Sequence, residues 1–124
     1  MAVDITLSIN PVDGTIQLPP FSSSRLTYTQ TTGGGGNPGV ISVTTSEFTL
    51  SFGSVTPGPV LLFNLDDTNY VEWGVATGVY PFRLHPLKAA NNKGFPSLVY
   101  FETGTIYLKA NTATCQVLVL GYNK

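Results

Sequence analysis

Apolar and polar residues alternate with a period of two along most of the chain, and helical periodicity is nearly absent. Val3, Ile5, Leu7 and Ile9 alternate with polar neighbours and run into "NPVDG", a turn signal. "TIQL" follows, "PPFSSS" breaks the pattern, and "RLTYTQT" resumes it with Leu26 and Tyr28 in phase. "VISVTTSEFTLSF" holds two strands parted around Thr45 and Ser46, and "VTPGP" ends them. "PVLLFNL", "YVEWGV", "VYPFRLH", "SLVYF", "TIYLKA" and "CQVLVLGY" continue the series. About eight to ten short strands punctuated by Gly, Pro and Asn predict an all-β fold, an antiparallel β-sandwich of jelly-roll-like type. At 124 residues the chain is expected to form a single domain spanning 1–124.

Two segments interrupt the alternation. "TTGGGGNPG" (31–39) has four consecutive glycines and is expected to be a flexible surface loop, or one ordered by a partner. It lacks the Gly-Lys-Ser/Thr ending and following helix of a phosphate-binding loop. "LKAANNKG" (87–94) also reads as a loop, because Asn91, Asn92 and Gly94 oppose a helical turn.

The stretch "NLDDTNYVEWG" (64–74) concentrates three of the seven acidic side chains. It reads as the loop of a hairpin. Asp66, Asp67 and Asn69 are turn formers whose side chains bond nearby backbone N–H groups. Pairing Leu65 with Tyr70 puts Val60, Leu62, Asn64, Val71, Trp73 and Val75 on a core face. Leu61, Phe63, Leu65 and Tyr70 then share the opposite face with Glu72, and that face is too apolar for ordinary solvation. These four residues are the candidate interaction surface.

Composition narrows the function classes. Charged residues are only 10% of the chain and the net charge is −1, so no electrostatic footprint for nucleic acid or an anionic membrane is present. Weak self-repulsion suits a protein packed against other proteins. The start "MAVDITLSIN" lacks the basic residues and apolar run of a secretion signal, which predicts a chain made in a cytoplasm.

Candidate chemistry is sparse. A glycosidase needs two carboxylates facing each other across a substrate, whereas adjacent Asp66 and Asp67 in a turn are expected to diverge into solvent. Calcium needs about six oxygens at a spacing that "NLDDTN" does not supply. His85, the single histidine, precedes Pro86 and is expected to end a strand with its ring partly exposed. Cys115, the single cysteine, reads as a small buried thiol in "CQVLVL". No catalytic, metal-binding or cofactor-binding residue is therefore assigned. Tyr70, Tyr80, Phe82, Tyr100, Phe101 and Tyr107 are expected mostly in the core. A tyrosine stripe on one face instead would suit a sugar or a protein partner.

Two segments, "FNLDDTNYVEWGVATGVYPFRL" (63–84) and "TIYLKANTATCQVLVLGY" (105–122), resemble a group of small virion proteins of tailed bacteriophages. Asn69, Val71 and Gly74 match the group's "N-x-V-x-x-G" pattern. Tyr107, Lys109, Ala110, Thr112 and Ala113 match its C-terminal hairpin. The resemblance covers about the last sixty residues and implies a non-enzymatic structural protein, a capsid decoration or cement protein or a tail or neck component. It implies the major capsid protein as partner, a homo-oligomer with a trimer favoured, and a place on the virion after assembly in the host cytoplasm. A carbohydrate-binding β module is the alternative from another class.

Overall fold

The computed structural model describes residues 4–8, 25–29, 33–87, 96–101 and 104–124. Regular structure among them is entirely strand: β1 (Asp4–Ser8), β2 (Arg25–Thr29), β3 (Gly35–Val43), β4 (Phe48–Thr49), β5 (Pro57–Asn64), β6 (Val71–Gly74), β7 (Phe82–Leu84), β8 (Ser97–Tyr100), β9 (Tyr107–Ala110) and β10 (Cys115–Asn123). β1 and β2 form an antiparallel two-stranded ribbon. The other eight strands make two four-stranded antiparallel sheets. The first sheet has the order β3–β10–β5–β8 and the second the order β4–β9–β6–β7. The all-β expectation holds.

Both sheets contribute to one hydrophobic core. Val43, Val60, Leu62, Cys115, Val117 and Val119 come from the first; Val71, Trp73, Leu84, Leu108 and Ala110 come from the second. Along β10 the alternation is visible residue by residue, with Cys115, Val117 and Val119 buried and Gln116 exposed. Two long strands, β3 and β5, flank β10, and in both pairings the register shifts just past Gly121.

Pairing around 64–74 differs from the expected hairpin. β5 pairs with β10 and β8 in the first sheet, whereas β6 pairs with β7 and β9 in the second. Residues 65–70 therefore carry the chain from one sheet to the other, and Leu65 does not pair with Tyr70. Alternation identifies the inward residues, because the same period of two applies whichever strand is the neighbour. Val60, Leu62, Asn64, Val71 and Trp73 are buried as expected, and Trp73 is 4% exposed. Val75 is exposed because β6 ends at Gly74.

Other expectations sort in the same way. The break at Thr45 and Ser46 falls between β3 and β4 as expected. The glycine stretch does not remain a loop throughout, since β3 starts at Gly35. Gly39 lies within that strand at φ 88°, a conformation that L side chains rarely adopt. Val3, Ile9, "TIQL", "PPFSSS" and most of 87–94 lie outside the described residues. His85 follows the end of β7 and is half-buried. Cys115 is fully buried. Of the six aromatic residues expected mostly in the core, only Phe101 is buried. Tyr70, Tyr80 and Tyr107 are half-buried, and Phe82 and Tyr100 are exposed.

Candidate interaction surfaces

The acidic stretch is a structural crossing. Asn64, 1% exposed, stands at the end of β5 with its amide directed into the crossing. Its Nδ2 donates to the carbonyl of Asn69 at 2.8 Å and to that of Leu84 at 3.1 Å, and its Oδ1 accepts from the Asp66 N–H at 2.9 Å. One side chain thus ties the end of β5, the crossing and the end of β7. Asp66 Oδ2 then accepts from the N–H groups of Asn69 (2.6 Å) and Thr68 (3.0 Å). These bonds hold its carboxyl below the usual range, the Asn69 N–H contributing most and Thr68 next. Its Oδ2 is thus committed to the turn, and Asp67 beside it is exposed. Among the described residues no three His, Cys, Asp or Glu side chains gather at a metal-sized spacing.

The segments 63–84 and 105–122 meet here. β6 runs beside β9, with Val71 opposite Ala110 and Gly74 opposite Tyr107. Thr112 donates its hydroxyl to Asn69 Oδ1 at 2.6 Å. Gly74 is required by close approach, because a Cβ there would lie 2.0 Å from the Val79 carbonyl. The matched positions therefore have structural work to do, in the crossing and in the strand pair that follows it.

The outward surface of the first sheet is aliphatic. Register aligns Val40, Leu118 and Phe63 across β3, β10 and β5. The next outward row is Pro38, Leu120, Leu61 and Leu98. Val40 and Leu98 are 56% and 42% exposed, and Leu61, Phe63, Leu118 and Leu120 are half-buried. A polar rim begins at Gln116, whose amide donates to Ser42 Oγ at 2.8 Å. Tyr100, 48% exposed, lies at the opposite end, across from Pro59. A solvated outward face would carry polar residues at these positions.

The outward surface of the second sheet has different chemistry. Arg83, Glu72 and Lys109 form one cross-strand row, so Glu72 lies between two cations. Arg83 Cζ sits 3.9 Å from the Tyr70 ring centre, and Lys109 Nζ lies 6.0 Å from that of Tyr80. Such contacts are worth about 0.5–1 kcal/mol each where exposed. Glu47 accepts from the Thr77 hydroxyl (2.6 Å), the Gly78 N–H (2.7 Å) and the Tyr80 hydroxyl (2.5 Å), and so fastens the 75–80 loop to the start of β4. These bonds, that of Thr77 foremost, lower the Glu47 pKa. The bond to Glu47 pushes the Tyr80 phenol up to about 12.

The four residues expected on one surface are divided by the crossing. Leu61 and Phe63 belong to the aliphatic face, and half-buried Leu65 begins the crossing beside Gln116, whose carbonyl accepts its N–H. Tyr70 enters the tyrosine and charge surface of the other sheet. Sequence reasoning missed Val40, Leu98, Leu118 and Leu120, although alternation already put each in the phase opposite the core. The partner strand was the missing information. Comparison with protein-family models gives no match, and neither curated proteins nor solved structures match the chain.

Proposed function

We propose that this chain is a non-enzymatic structural protein that assembles through sheet faces, as a decoration or cement component of a phage capsid. The observation that carries the assembly reading is the aliphatic outward face of the first sheet. Removing a Val, Leu or Phe side chain from water is worth roughly 1.5–3 kcal/mol when complete, before ordering costs. Rows of such residues over four strands therefore favour a protein neighbour, and a homo-oligomer, with a trimer favoured, supplies one. The strand orders support a jelly-roll-like β-sandwich, with β3, β5, β8 and β10 in one sheet and β4, β6, β7 and β9 in the other. That architecture serves viral capsid and lectin domains alike, so fold analogy alone favours neither. The resemblance at 63–84 and 105–122 favours the capsid and names the major capsid protein as partner. The direct test adds purified protein to phage particles lacking decoration and sediments them. Co-sedimentation that saturates at a fixed ratio to the shell protein is expected, and protein left in the supernatant overturns the capsid assignment.

A carbohydrate-binding reading has an observation of its own. Tyr70, Tyr80 and Tyr107 lie on the second sheet with Glu72, Arg83 and Lys109, a mixture of flat rings and hydrogen-bonding groups suited to sugars. Glycan-array binding abolished by Tyr107→Ala would favour it over the capsid reading.

A further inference from the structure

Gly74 is buried although it lies in the outward phase of β6. Trp73 before it belongs to the core, so a Cβ on Gly74 would project from the other side of the sheet. There it would meet the Val79 carbonyl oxygen at 2.0 Å and Pro81 Cδ at 2.9 Å. The chain between β6 and β7 therefore folds back over the outward face of the second sheet.

Its far side reaches across that face. In the order β4–β9–β6–β7, β9 separates β6 from β4. Yet Thr77, Gly78 and Tyr80 all bond to Glu47, the residue that precedes β4. Lys109 of β9 lies along the way, its Nζ 6.0 Å from the Tyr80 ring centre. Tyr107, the partner of Gly74 on β9, is half-buried on the same path. Apart from these bonds, little holds the segment down. Residues 75–79 and 81 are exposed, so none of their side chains anchors it in the core. Ala76 and Val79 close a turn of their own, the Val79 N–H donating to the Ala76 carbonyl at 3.1 Å, with Gly78 at φ 74°. Segments with few buried apolar contacts and exposed hydrogen bonds open at the lowest free energies in a fold.

We infer that residues 75–81 form a strap over the second sheet, with Glu47 as its catch, and that the strap lifts while both sheets stay folded. Lifting bares the Gly74–Tyr107 pair and adds it to the surface of Tyr70, Glu72, Arg83 and Lys109. Acid releases the catch. The titratable and charged groups facing Glu47 are Tyr80 of the strap and Lys109 of β9; Glu72 of β6 acts on Tyr80, and β4 brings none. The folded pKa of Glu47 lies below the ordinary 4.5, so the catch is complete above that value and is lost as pH falls through the lowered one.

The test uses the full chain and reads two signals. Amide hydrogen exchange follows Gly78 in the strap and Leu108 and Val117 in the core, and magnetic resonance of isotope-labelled tyrosine rings follows the Tyr80 phenol. Glu47→Ala, at an exposed position, is expected to speed Gly78 exchange roughly tenfold or more while core exchange is unchanged. The Tyr80 phenol should then titrate near its ordinary 10.0 instead of about 12. Gly74→Ala pushes on the strap from beneath and should produce both changes with Glu47 intact. In wild type, Gly78 protection should be lost on acidification before core protection, and Glu47→Ala should show no such step. Gly78 exchange unmoved by Glu47→Ala, or core exchange rising in step with it, overturns the strap. A folded Gly74→Ala protein whose Tyr80 still titrates near 12 does so too, and an unfolded one shows that the segment cannot lift. Wild-type Gly78 and core protection lost together in acid overturns the release.

Discussion

Asn64→Leu isolates a buried amide that ties the crossing together. Leucine has a similar volume and fits the core phase of β5, so the change removes hydrogen bonding while largely preserving packing. Three bonds disappear: two from Nδ2, to the carbonyls of Asn69 and Leu84, and one to Oδ1 from the Asp66 N–H. At about 0.5–1.5 kcal/mol net for each, the loss is about 1.5–4.5 kcal/mol. Any of the three backbone groups left buried without a partner adds about 1–3 kcal/mol. Leucine burial returns about 1–2 kcal/mol of this through its apolar surface. The expected net destabilisation is about 2–4 kcal/mol, a large share of a small domain's stability. Urea unfolding followed by Trp73 emission should show the midpoint falling by roughly 1–2 M with the slope unchanged. Hydrogen exchange at the Asp66 amide should accelerate in the same variant. Thr112→Val removes only an exposed bond to Asn69 and should cost less than about 1 kcal/mol. An Asn64→Leu protein within about 1 kcal/mol of wild type would refute the claim that this side chain holds the crossing.

Trp73 packs against Phe82 with ring centres 4.7 Å apart, and Trp73→Ala should cost roughly 3–5 kcal/mol in chemical unfolding. Its native emission should be blue-shifted; emission like that of free tryptophan would contradict its burial. Asp66 gives a pH prediction with a definite sign. Its folded pKa lies below the ordinary 3.8, so its contribution is complete above the unfolded value and is lost as pH falls through the lowered one. Wild-type unfolding midpoints should therefore decline below about pH 4, and the decline should be shallower in Asp66→Asn. That variant keeps an acceptor for the turn and should lose less than about 1 kcal/mol at neutral pH. Burial, with the Asp66 charge as the smaller cause, pushes the Cys115 thiol up to about 11. Alkylation at pH 8 should be negligible for the native protein and rapid in denaturant; rapid native labelling would contradict the packing of β10.

Inward positions were the most legible feature of the sequence. Period two put Val60, Leu62, Asn64, Val71, Trp73 and Val75 in one phase, and all of them except Val75, which lies past the end of β6, are buried. Strand neighbours were not legible, because a six-residue connection between Asn64 and Val71 suits a hairpin and a sheet-to-sheet crossing equally well. What separates the two is Asn64, whose buried amide requires carbonyls from both Asn69 and Leu84. An asparagine in core phase at a strand end was the available signal. Misplacing the crossing also misplaced the surface: Tyr70 was grouped with Leu61 and Phe63, although they lie on different sheets. Turn chemistry came through, since Asp66 accepts the backbone bonds that its residue type and position implied. The tyrosines were harder, because strand ends such as Tyr70 and Tyr107 alternate outward while remaining half-covered by Arg83 and their neighbours.

The central claim is assembly through the aliphatic face, and Phe63→Glu tests it most directly. Phe63 lies opposite Leu118, on the outward side of a central strand, and contributes nothing to the buried core cluster. A charge there should leave the fold standing and forbid burial of the face against a neighbour. Light scattering of the purified proteins should give a mass near three chains for wild type and one for Phe63→Glu, with matching far-ultraviolet spectra. A wild-type protein that stays at the mass of a single chain, or a Phe63→Glu variant that assembles as wild type does, would contradict the account.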